Sequence, residues 1–138
     1  MPCWPGNALT TCAAAGLDAR QGLLHRPRAG RAALALDLME PFRPLIADQA
    51  VLNGLNNGQF KPEHFRSDGN AVLLTDDGRR LALRLIERRL LGSVTLDGRA
   101  EAVSWREAIG LSARTLADAL RNGTRFVAME RAWHHALA

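Results

Sequence analysis

The chain has 138 residues, 47% apolar and 23% charged, enough to bury a core and too apolar for wholesale disorder. No run of eighteen apolar residues exists to span a membrane, and MPCWPGNALTTCAAAG has no basic residue ahead of its apolar stretch, as a secretory signal would, so the expected compartment is the cytoplasm. Eighteen basic residues against fourteen acidic ones give a net charge of +4, and all the basic ones but Lys61 are arginine, the side chain whose planar fork suits phosphate.

From the N-terminus, residues 1–7 are an atypical opening. Ala8 to Ala15 is small and helix-permissive, with Gly16 placed to stop it. Cys3 and Cys12 fit neither a zinc knuckle nor a redox motif and read as reduced, structural residues. Leu17 to Gly30 reads as a loop. An apolar run, Ala32 to Leu36, leads to Asp37 and a helical stretch to about Asn56, in which Leu45, Ile46, Leu52 and Leu55 recur near helical spacing. Pro41 and Pro44 mark its first turn or a kink. Residues 64–75 carry the turn signal SDGN between two strand-compatible runs, which predicts a small hairpin.

Thr75 caps the next helix, with Asp76 and Asp77 in its first turn. That helix runs to about Leu91, with Leu81, Leu85, Ile86 and Leu90 inward and Arg80, Arg84 and Arg88 on another side. GSVTLDGRAEAV reads as a loop. The last long helix, Ser104 to Arg121, has one apolar face of Trp105, Ala108, Ile109, Ser112, Leu116 and Leu120, and Gly123 closes it. The tail from 128 to 138 is a flexible end or a final turn, and the tryptophans are core anchors. The fold class is mainly α with one small β-hairpin.

One cluster stands out. Within HRPRAGRAALALDLMEPFRP, His25 sits among Arg20, Arg26, Arg28 and Arg31, and Asp37 and Glu40 follow three residues apart. On local physics Asp37 and Glu40 spell nearly a capping box, with Asp37 as N-cap. The same residues with His25 make one imidazole and two carboxylates, a mixed set compatible with manganese or magnesium and with phosphodiester chemistry. The arginines are either a solvated loop or a grip on phosphates.

The stretch AAAGLDARQGLLHRPRAGRAALALDLMEPFRPLIADQAVLNGLNNGQF resembles the C-terminal lobe of the CRISPR spacer-acquisition integrases. The spaced pair GLLH and LALDLMEPFRP carries the resemblance, which continues through KPEHF and LLTDDGRR to SWREAIGLSARTLADALRNG, roughly residues 8 to 127. It implies a helical catalytic lobe of a metal-dependent DNA endonuclease and integrase that joins new spacers to the CRISPR array. His25, Asp37 and Glu40 fall on the family's metal and catalytic positions, and the arginines Arg20, Arg26, Arg28 and Arg31 lie where DNA would run. The implied partners are spacer-precursor and repeat DNA, a second copy of the chain, and the small protein Cas-two. The family's metal-binding glutamate lies well upstream of its histidine, beside an N-terminal β-rich domain, and neither is among these residues. A truncated form with an incomplete metal site is therefore expected, the alternatives being a non-catalytic DNA-binding module or an inactive gene fragment.

Overall fold

The computed structural model describes residues 4–24, 32–96 and 99–128, and of residues 4–7 the backbone only. Helix α1 (Trp4–Ala14) ends as its sequence predicts. Gly16 takes φ +74°, open to glycine at little cost, and this lets the Gly16 amide donate to Ala13 O and the Leu17 amide to Cys12 O. Helix α2 (Ala33–Met39) follows the loop and starts four residues before Asp37. A 3₁₀ turn (Glu40–Phe42), a π turn (Pro44–Asp48) and helix α3 (Gln49–Asn56) continue the same course.

The two prolines explain those turns. Pro41 and Pro44 lack the amides that would bond back to Asp37 and Glu40, so regular α geometry cannot pass through this point. The chain tightens and then widens, and the Gln49 amide bonds to Pro44 O as well as Ile46 O. The expected kink is thus a change of helix type. The change points Phe42 and Ile46 fully into the core.

The predicted hairpin forms between β1 (Phe65–Asp68) and β2 (Ala71–Leu74), with Phe65 opposite Leu74 and Asp68 opposite Ala71. Its two-residue turn has Gly69 at φ +59° and no positive φ at Asn70, the arrangement of a type II′ turn. Helix α4 (Asp76–Leu91) begins at Thr75, whose Oγ1 accepts the Gly78 amide at 3.2 Å. The segment read as a loop after it carries a second antiparallel pair, β3 (Ser93–Thr95) with β4 (Ala102–Ser104). Strands of three residues leave too little pattern to read. Their pairing follows from the ends of α4 and α5, which are joined where the Trp105 amide donates to Gly92 O. Helix α5 (Trp105–Asn122) opens with a reciprocal cap: the Glu107 amide donates to Ser104 Oγ, and the Ser104 amide donates to the Glu107 carboxylate.

One core joins these elements. Ala8 and Cys12 of α1, Leu34 and Leu38 of α2, Leu90 of α4 and the inner face of α5 meet around Phe42 and Ile46. Burial pushes the Cys12 thiol above its ordinary value, which keeps it protonated and inert, as expected of a structural cysteine. Trp105 is buried as an anchor, with the Arg89 guanidinium 5.6 Å from its ring centre. Arg89 Nε also donates to Leu45 O at 3.0 Å, pinning α4 to the π turn. At the far end Arg121 donates to Ala15 O at 3.0 Å, tying α5 to the end of α1.

Some inward assignments fail. Leu52, Leu55 and Leu120 are exposed, because α3 turns Ala50 and Gly54 to the interior and α5 turns Ala113, Ala117 and Ala119. On α4, Leu90 is buried while Leu81, Leu85 and Ile86 are half-buried; Arg80, Arg84 and Arg88 are exposed. Among the described residues no helix is long and apolar enough to cross a membrane.

Candidate functional site

Asp37 is the fifth residue of α2, not its N-cap, which corrects the capping alternative. The residue at the cap position is Ala32, whose methyl group cannot accept a hydrogen bond. The helix start is satisfied from elsewhere: the Leu34 amide donates to Ala19 O at 2.9 Å, so loop backbone takes over part of the work of a cap. Asp37 is left 9% exposed inside the fold.

There its carboxylate meets the end of the loop. Oδ2 accepts the Leu23 amide at 2.6 Å and the Leu24 amide at 2.8 Å, fourteen and thirteen residues away. Two peptide N–H groups on one carboxylate oxygen fix the backbone that carries them. Glu40 follows one turn on, at the first residue of the 3₁₀ turn, and its side chain is exposed.

Asp37 and Glu40 line one pocket of about 320 Å³. Leu23 and Leu24 form one side, Leu34, Leu38 and Pro41 another, and Ser112, Leu116 and Phe126 close it from α5 and beyond. Acidic groups thus sit at the edge of a mostly apolar hollow, where a bound cation would feel less competition from water. Ser112, on the expected inner face of α5, is 3% exposed. Phe126 is the wall residue sequence reasoning missed; it lies beyond the end of α5, where no periodicity marks it.

The remaining candidate positions divide. His25, Arg26, Arg28 and Arg31 lie outside the described residues, as do Cys3, Trp133, His134 and His135. Among the described residues no three His, Cys, Asp or Glu side chains converge as a metal cluster. Among the described residues, the structure therefore brings together Asp37 and Glu40 of the expected metal set. Arg20 is exposed and bonds to Asp18 Oδ1 through Nε at 3.2 Å. The Arg20 amide donates to the same oxygen, and these contacts hold the Asp18 carboxyl below its usual range. As an exposed ion pair it costs little to break, so Arg20 can turn to an anion in solution.

The CRISPR associated protein Cas1 family model matches residues 5–88, more than half of the chain and inclusive of α2, Asp37 and Glu40. The chain belongs to the Cas1 family. A CRISPR-associated exonuclease Cas4/endonuclease Cas1 fusion of Geobacter sulfurreducens is 44% identical over 104 residues, covering 75% of this chain and 19% of that protein. Among solved structures, a casposase bound to integration product overlays with TM-score 0.76 at 27% identity, over 93% of this chain and 37% of the other. A Cas1 protein from Thermotoga maritima gives 0.73 at 28% identity, over 89% and 38%. The matched regions span between 18% and 34% of the length of the curated Cas1 relatives. The helical fold and the expected family are both borne out.

Proposed function

We propose that this chain supplies the catalytic lobe of a metal-dependent DNA endonuclease and integrase of CRISPR adaptation, with His25, Asp37 and Glu40 as its site. The observation that carries the reading is the shared pocket of Asp37 and Glu40, one wall of which is Leu23–Leu24, the residues that immediately precede His25. The donor set fits a hard divalent ion, Mn²⁺ or Mg²⁺: carboxylate oxygens with one imidazole. When bound, such an ion would polarise the attacked phosphodiester and stabilise the leaving oxygen. The chain's own residues contribute the rest. Glu40 brings negative charge to an accessible rim, the apolar walls limit water, and Arg20, Arg26, Arg28 and Arg31 neutralise phosphates on either side of the scissile bond.

DNA as substrate is supported by the likeness to a casposase bound to integration product. Assembly as a homodimer with Cas-two is what family membership implies. The upstream glutamate of the family is not among the 138 residues, so the chain by itself should hold a metal weakly. The test is manganese titration of the chain followed by electron paramagnetic resonance, with branched-DNA cleavage scored alongside. Weak saturable binding that is lost in His25→Ala and in Glu40→Ala supports the assignment. Binding untouched by both substitutions refutes it, and DNA binding without it would favour a non-catalytic module.

A further inference from the structure

A second hollow, of about 280 Å³, opens between α3 and α4, lined by none of the residues assigned to the metal site or the basic loop. Gly54 brings the two helices together there: a Cβ at this position would run into Leu85 Cδ1 at 2.6 Å and Phe60 Cε2 at 2.9 Å. The chain then turns back on the end of α3, with the Gln59 amide donating to Gly54 O at 2.9 Å, which places Gln59 in the lining. Beyond this pinch the polar lining is Asn53, Gln59, Arg88 and Arg89: two guanidiniums, two carboxamides and no carboxylate.

One of the guanidiniums is held in place. Arg89 lies over the Trp105 ring at 5.6 Å and donates from Nε to Leu45 O at 3.0 Å, so both its plane and its direction are fixed from outside the pocket. Its two Nη groups have no hydrogen-bond partner among the described residues. Arg88 also has no carboxylate against it among the described residues, whereas Arg79, Arg80 and Arg121 each sit on an aspartate three residues away. The ends of α3 and α4 bring partial negative charge to the same place, about half a charge each. Two full positive charges exceed that, and the pocket keeps a net excess of about one.

We propose that this hollow is a phosphate-binding pocket, separate from the acidic one, in which Arg88 and Arg89 fork the anion and Asn53 and Gln59 donate through their carboxamides. Planar guanidinium forks match the tetrahedral oxygens of phosphate, and a ready-fixed Arg89 loses little side-chain freedom on binding. The volume suits a phosphate group with part of a sugar and falls short of the usual range for a whole ligand molecule. The phosphate has two sources: a free phosphomonoester, or a backbone phosphodiester of DNA, the second resting on the DNA-enzyme reading above.

The experiment titrates the chain with inorganic phosphate at constant ionic strength and follows the Arg89 Nε–H and the Asn53 and Gln59 carboxamide signals by NMR. Saturable shifts with a Kd of about 1–10 mM are expected for a single anion on an open pocket. Affinity should fall about tenfold in Arg88→Ala, and about as much in Asn53→Asp, which sets a carboxylate against the anion. Arg84→Ala, one turn earlier on α4 and outside the lining, should stay within about twofold of wild type. Shifts that do not saturate, or that sodium chloride reproduces, would overturn the proposal, as would an equal loss in Arg84→Ala. A 5′-mononucleotide and a single-stranded oligonucleotide without terminal phosphates then separate the sources. Arg88-dependent shifts with the oligonucleotide assign the backbone, and such shifts with the mononucleotide alone assign the monoester. Phosphate binding is read without Mn²⁺, so failure of the metal site would leave this result standing.

Discussion

Replacing Gly78 with alanine should destabilise the protein, although Gly78 lies in a helix where alanine is ordinarily the better residue. In an open helix the exchange gains about 0.5–1 kcal/mol, because glycine gives up more backbone freedom on folding. At Gly78, however, a Cβ would run into the backbone carbonyl of His64, with Leu74 Cδ2 at 3.1 Å and His64 C at 3.2 Å. That carbonyl is itself held, since it accepts the Thr75 amide at 3.0 Å, and Thr75 Oγ1 donates to the neighbouring Glu63 O at 3.2 Å. The 3₁₀ turn Pro62–His64 therefore has no easy retreat, and overpacking of this kind costs about 1–3 kcal/mol. The net expectation is a loss of about 1–2 kcal/mol. Gly110 provides the control within the same molecule. It lies inside α5, and among the described residues a Cβ there would meet the Arg114 guanidinium alone, at 3.6 and 4.0 Å, so Gly110→Ala should gain up to about 1 kcal/mol. In urea titrations with unchanged m-value the two variants should move the midpoint in opposite directions, and their Tm values should differ by roughly 10 °C. A Gly78→Ala protein as stable as wild type would show that the 3₁₀ turn is not docked on the start of α4.

Phe42 is fully buried at the centre of the core, so Phe42→Ala should cost about 3–5 kcal/mol in denaturant unfolding; a loss under 1 kcal/mol would mean that the site collapses around the cavity. The Ser104 amide and hydroxyl hold the Glu107 carboxyl below its usual range, so its stabilising effect is present at neutral pH and is lost as pH falls through the lowered folded-state value. Thermal melts of wild type and Glu107→Gln should accordingly converge on acidification below the ordinary carboxylate range; a gap that widens there would reverse the sign of the argument. DNA binding by the chain should weaken steeply between low and moderate salt, as counterion release demands of arginine–phosphate contacts, and a flat salt dependence in fluorescence anisotropy would remove the arginines from the interface.

How far the sequence could be read depended on how local each cause was. Thr75 with its two aspartates, and SDGN between strand formers, carry their instructions within a few residues, and both elements form where expected. The start of α2 was hidden because its amide partner is Ala19 O, a tertiary contact with no sequence signature. Without a cap in view, Ala32–Leu36 looked like a lead-in and Asp37 like the cap. The same locality rule explains Leu52 and Leu55: helical spacing identifies a stripe, but Ala50 and Gly54 allow a closer approach to α4, and the leucines are left outside. For the site, spacing alone could group Asp37 with Glu40. That one is buried on backbone and the other exposed depends on the return of the loop.

The bond between Asp37 and the two amides also limits how this stretch can vary. What α2 requires at positions 23 and 24 is a peptide N–H, and the exposed leucine side chains add little to that contact. Nineteen of the twenty amino acids can donate there, and proline cannot. Among relatives, proline should stay excluded at these two positions, whatever side chain the pocket wall takes. A single proline insertion at Leu23 or Leu24 would thus act on the site as an Asp37 substitution does, through the main chain and from the other side of the bond.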